Sequence, residues 1–316
     1  PPTARPGERP GVVPLRPLGL GELLDGAVAV VRGYWRPVFA AGAVVAVVGA
    51  VLDLVVVLTF LRPVLDLDPE QVGTSLSSAV DALAGVLVGG FVSAAFATTS
   101  AELLVGLVAP AVSRGALGQP LSGREAWEQL RPRLGPLIAV AVLVPLLALL
   151  VGLLGFVLTG AAAAVSDVAA GLVGILAVPA GLALGVHLYV RWSLAPACVV
   201  LERAGPRAAL RRSSGLVRRS WWRVLGILLL SWIIAALVSQ VLQVPFLALR
   251  GNPLEVFTGA DTSTPAFVLQ AVGQAVAATV VGPFVAAVRV LLYVDRRMRA
   301  EGLDVALAAA AAREAR

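Results

Sequence analysis

An all-α fold is predicted, a polytopic transmembrane helix bundle of six spans with cytoplasmic interfacial amphipathic helices. Three observations predict it. Apolar side chains make up 59% of the 316 residues and charged ones 14%, with a mean hydropathy of +0.91, outside the range of water-soluble domains. Six stretches each supply the ~20 consecutive apolar residues that a bilayer core demands of a helix. The arginines fall almost entirely on one side of those stretches, as membrane topology requires.

Taken in order, residues 1–17 (PPTARPGERPGVVPLRP) are rich in proline and arginine and lack the apolar h-region of a cleavable signal. They are expected to be a disordered tail. The membrane domain is expected over 18–300, with spans at about 38–61, 84–110, 134–158, 169–191, 224–249 and 266–292, and an Ala-rich cytoplasmic tail over 301–316. Asp53 interrupts the first span at a cost of about 3 kcal/mol near the bilayer centre, but its Val, Leu and Phe residues at about 0.3 to 0.6 each outweigh it.

All 25 basic residues are arginine. Only Arg62 and Arg250 fall on the second side, which carries Asp66, Asp68, Glu70, Asp81, Asp167, Glu255 and Asp261. This asymmetry places both termini in the cytoplasm of a multi-pass protein of the cell (plasma) membrane. The pI near 10.8 is therefore read as topology, and no nucleic-acid partner is expected. The single cysteine, Cys198, excludes an intrachain disulfide framework, and the single histidine, His187, leaves no His-based metal site.

An amphipathic stretch precedes each odd-numbered span, at 20–36, 121–133 and 207–223. At 100° per residue the third sets Arg207, Arg211, Arg212, Arg218, Arg219 and Arg223 against Ala209, Leu210, Leu216, Val217 and Trp221, the pattern of a helix in the headgroup plane. The first ends Arg32-Gly-Tyr34-Trp35-Arg36 and the third Arg219-Ser-Trp221-Trp222-Arg223. Three units are predicted, each an interfacial helix followed by a transmembrane hairpin.

Four segments carry a family resemblance: RPLGLGELLDGAVAVVRGYWRP, LSGREAWEQLRPRL, APACVVLERAGPRAALRRSSGLVRRSWWRVLG and YVDRRMRAEGLD. Across most of residues 16–304 the chain resembles the actinobacterial membrane proteins of the glycerophosphoryl diester phosphodiesterase membrane domain family. The most specific piece is Tyr293, Asp295, Arg297, Arg299, Glu301, Gly302 and Asp304, similar to a recurring Y-x-D-x-R-x-R-x-E-G-x-D pattern. Gly19 stands where the family commonly has a serine cap, which weakens the first helix start. In that family the membrane region precedes a soluble phosphodiesterase barrel, whose paired histidines and metal-binding carboxylates have no counterpart here. The resemblance thus implies an architecture and no activity.

Ionisable groups within spans are functional candidates: Asp53, Glu102, His187 and Arg191. His187 and Arg191 share a helix face, so Glu102 is expected to neutralise one of them, either as part of a polar path or as a structural ion pair. Ser239, Gln240, Gln243, Gln270 and Gln274 line an outward cavity or bond between helices. Pro145, Pro179, Pro245 and Pro283 predict kinks or breaks, and Gly85 with Gly89 and Gly181 with Gly185 predict close packing. Arg207, Arg211, Arg212, Arg218, Arg219 and Arg223 serve topology, or contact anionic lipid headgroups or an acidic membrane or cytoplasmic partner. No Walker loop, Ser-His-Asp set or Rossmann fingerprint occurs in context, so no catalytic residue, metal or cofactor is assigned. The expected function is a non-enzymatic integral membrane module organising lipids or partner proteins, the alternative a transporter or lipid translocator with a polar path between spans.

Overall fold

In a bilayer every backbone polar group must be satisfied within the chain, which leaves the apolar runs little choice but helix. The computed structural model describes residues 18–65, 76–116, 118–249 and 263–301, and its regular elements are all helical. The tails at 1–17 and 302–316 lie outside the described residues, as do Asp66, Asp68, Glu70, Arg250, Glu255, Asp261, Gly302, Asp304 and the side chain of Asp81. Six helices are long and apolar enough to cross a membrane.

The predicted sequence of short helix followed by hairpin recurs three times. Helix α1 (Leu20–Gly33) leads into α2 (Trp35–Val56), which continues through a π turn at Val57–Leu61 and a last turn at Arg62–Leu65. Pro63 has no N–H to offer, and the wider π turn makes room for its ring. The antiparallel α3 runs Leu76–Ala116. Helix α4 (Gly123–Leu130) precedes α5 (Leu134–Ala163) and α6 (Asp167–Trp192). A buried helix α7 (Ala195–Leu201) intervenes before α8 (Pro206–Arg218), α9 (Trp221–Ala248) and α10 (Thr264–Glu301).

Local chemistry sets the short helices' starts. Ser122 and Glu125 form a reciprocal capping box on α4, with Ser122 Oγ accepting from Glu125 N at 3.2 Å and Glu125 Oε2 from Ser122 N at 3.1 Å. At α1 only half of that box exists: Gly19 has no hydroxyl, but its N–H still donates to Glu22 Oε2 at 2.8 Å.

The expected prolines do not break their helices. Pro145, Pro179, Pro245 and Pro283 all lie inside uninterrupted α-helix, because neighbouring helices stabilise what a lone proline would disrupt. The glycine pairs do pack closely. A Cβ on Gly185 would lie 2.6 Å from the Ala148 carbonyl oxygen, and one on Gly155 only 2.3 Å from that of Ala177, so the α5–α6 hairpin closes backbone to backbone. Gly85 and Gly89 similarly admit Val64 and Phe60 of the preceding span.

The core lies toward the inner end of the bundle, by the predicted orientation. Helix α10 packs against α1, α2, α3, α8 and α9, and Ala286, Ala287, Val288, Val290, Leu291, Leu292 and Tyr293 are buried along it. All residues from Ala195 to Val199 of α7 are buried as well. The apolar faces of α1 (Leu23, Ala27, Val30) and α8 (Ala209, Leu216, Val217) enter this same core. They are covered by protein, whereas the amphipathic pattern alone had pointed them into the headgroup plane.

Candidate functional site

A carboxylate and a guanidinium taken out of water each cost several kcal/mol unless they meet a partner. Glu102 on α3 and Arg289 on α10 are both buried, and they meet each other. Arg289 Nη2 donates to Glu102 Oε1 and Oε2, each at 2.7 Å, and to the Ser193 carbonyl at the α6–α7 junction at 2.6 Å. The Tyr189 ring lies 5.8 Å from the guanidinium carbon. The pair locks three segments of the chain and holds no net charge.

The expected pairing of Glu102 with His187 or Arg191 is thereby corrected. Both lie on an exposed face of α6, and the His187 ring stacks on Trp221 at 5.5 Å between centroids. By sequence, Arg289 belongs with the arginines of the basic side. It sits between Val288 and Val290, within the predicted last span, and that position was the signal that it is an intramembrane partner.

The C-terminal end of α10 forms a second polar framework. Buried Asp295 accepts from Leu18 N and from Arg299 Nε, both at 2.8 Å, and lies 3.5 Å from Arg223 Nη2. Arg223 and Arg299 also donate to the Leu18 carbonyl at 2.8 and 3.0 Å. Tyr293 donates to Glu202 at 2.6 Å, and Arg212 Nε bonds the same carboxylate at 3.0 Å. Glu301 receives Arg212 and, at 2.8 Å, Arg297, while Arg296 Nε reaches the Leu216 carbonyl at 3.3 Å. The tail motif therefore fastens the N-terminal end of α1, the end of α7 and helix α8 onto the last span.

This framework divides the six candidate arginines. Arg212 and Arg223 are held in ion pairs. Arg207, Arg211, Arg218 and Arg219 are exposed and make no ion pair among the described residues. Arg207, Arg211 and Arg218 fall on one stripe of α8 at helical spacing. Trp35, Trp127 and Trp222, one from each unit, are also exposed.

Asp53 is half-buried and faces a cavity of about 410 Å³ between α2, α3 and α10. Ser93, Ser100 and Gln274 line it too, so Asp53 and Gln274 converge, whereas Asp53 and Glu102 do not. Among the described residues no group of three or more His, Cys, Asp and Glu could hold a metal ion.

These features define a multi-pass α-helical membrane protein with a buried Glu102–Arg289 pair and a polar framework at the C-terminal end of its last helix. It belongs to the family described as "Domain of unknown function (DUF7847)", whose model matches residues 100–296, more than half of the chain. The matched stretch contains Glu102, Glu202, Arg289 and Asp295. No curated protein and no solved structure matches the chain.

Proposed function

We propose that the chain is a non-enzymatic module of the cell membrane that gathers anionic lipid headgroups, and partner proteins with them, at its cytoplasmic face. Both termini lie on that side in this reading, in keeping with the arginine asymmetry. The carrying observation is the division of the arginines: Arg212 and Arg223 are committed to Glu202 and Asp295, while Arg207, Arg211, Arg218 and Arg219 stay exposed. Each basic group near an anionic surface contributes about 1 kcal/mol. Exposed Trp35, Trp127 and Trp222 suit the same depth, where amphipathic rings anchor.

A kinship with the glycerophosphoryl diester phosphodiesterase membrane domain proteins belongs to this proposal. The tail pattern from Tyr293 to Glu301 fastens helices together, which favours an architectural role for the motif. The transporter alternative loses its path through Glu102, His187 and Arg191, since Glu102 is closed on Arg289. It retains the Asp53 cavity as its one specific support.

The test uses protein reconstituted with spin-labelled lipids. Wild type should immobilise phosphatidylglycerol in preference to phosphatidylcholine. A variant with Arg207, Arg211, Arg218 and Arg219 all changed to Gln should lose that preference, and salt should weaken it in wild type. An undiminished preference in the folded variant overturns the proposal.

A further inference from the structure

The cavity beside Asp53 is built unlike the rest of the bundle. Its walls are mostly Ala, Gly, Val and Leu of α2, α3 and α10, and its polar contributors are the Asp53 carboxylate, the Ser93 and Ser100 hydroxyls and the Gln274 amide. Among the described residues Asp53 is the only ionisable group that lines it, and it makes no ion pair with any of them. A carboxylate within a span requires a counter-charge or a wet cavity.

Neither arginine of the neighbouring helix segments supplies that charge: Arg62, nine residues on in the same span, donates to Thr264 Oγ1 at 2.6 Å. Arg289 is consumed by Glu102, and the inner end of the cavity is tightly packed. A Cβ on Gly42 would lie 2.9 Å from Pro283, and one on Gly282 2.8 Å from Leu104. Gly42 and Asp53 are separated by eleven helical steps, or about 16 Å at 1.5 Å per residue. The space is therefore elongated along the helices, with its charge away from the packed end and mostly small apolar side chains, with Ser100, in between.

We propose that this recess binds a protonated organic amine, its ammonium on Asp53 with Ser93 and Gln274 in reach, and its aliphatic body against the small side chains. A volume near 410 Å³ falls in the range of small-molecule sites and far exceeds a dehydrated alkali ion. The mostly apolar wall suits carbon, and the lone carboxylate sets the sign of the ligand's charge. This site is independent of the arginine face of α8.

The experiment is calorimetric titration of the full chain in phosphatidylcholine nanodiscs, with empty nanodiscs subtracted. The probes are n-butylammonium, the neutral isostere n-butanol, and sodium chloride. Wild type should bind n-butylammonium at least about tenfold more tightly than n-butanol, as a charge-assisted contact requires. Asp53→Asn, which removes a charge and leaves the walls intact, should abolish the difference. Ala278→Leu, which fills the recess and keeps the carboxylate, should weaken n-butylammonium as well. The proposal is overturned if wild type does not prefer the amine, if Asp53→Asn binds it unchanged, or if sodium alone binds in an Asp53-dependent manner.

Discussion

Arg289 and Glu102, 187 positions apart in the chain, face each other at 2.7 Å with neither side chain open to solvent. The pair joins the second span to the sixth, and through the Ser193 carbonyl it also holds the turn after the fourth. Removing one partner leaves a buried charge uncompensated, at a cost of about 3–5 kcal/mol, whereas replacing both by apolar groups is close to neutral. Glu102→Gln and Arg289→Met should each lower the midpoint of denaturant unfolding sharply. Glu102→Leu combined with Arg289→Met should recover most of the loss, and additive losses would show that the pair is not coupled.

Asp295 acts at the other end of the last span. Its Oδ1 accepts from Leu18 N at 2.8 Å, tying the start of α1 to α10. Asp295→Ala should raise hydrogen exchange in α1, which loses its charged anchor, while α5 and α6 keep their protection. Exchange is the suitable readout because local opening precedes global unfolding.

Glycines separate by their surroundings. Gly155→Leu places a side chain where even a Cβ meets the Ala177 carbonyl oxygen at 2.3 Å, while Gly160 and Gly171 have nothing within 4 Å. Gly155→Leu should disrupt the α5–α6 hairpin, visible as loss of monodisperse elution. Gly160→Ala should be neutral or stabilise by up to about 1 kcal/mol, the difference between the two residues in helix.

Orientation is open to labelling because the native thiol is silent: Cys198 is fully buried. Val165, at the α5–α6 turn, is 81% exposed. A membrane-impermeant maleimide should modify Val165→Cys in intact cells and Arg207→Cys only after lysis. The reverse pattern contradicts the cytoplasmic placement of α8.

Much of the architecture was legible because the bilayer imposes it. Six apolar runs became six long helices, and the amphipathic segments before the odd spans became α1, α4 and α8. Helix α10 outran its predicted end at residue 292 and continues to Glu301, since its last turns are held by ion pairs that hydropathy does not register. Helix α7 was not foreseen: seven residues are too few for a span, and their burial depends on α3, α5 and α8 packing around them. The Glu102 partner was missed for a related reason. Local spacing on α6 pointed to His187 and Arg191, while the true partner arrives from another helix. Asp53 and Gln274 were both visible as polar interruptions, but their convergence needs three helices in place.

The arginine stripe of α8 carries the central claim, and native mass spectrometry of the detergent-extracted protein tests it most directly. Arg212 must be left intact, because it bonds Glu202 and Glu301. Wild type is predicted to retain anionic phospholipid adducts that Arg207→Gln, Arg211→Gln, Arg218→Gln and Arg219→Gln together remove, with zwitterionic adducts unchanged. Equal retention of anionic lipid by the two proteins, both folded, would contradict the account.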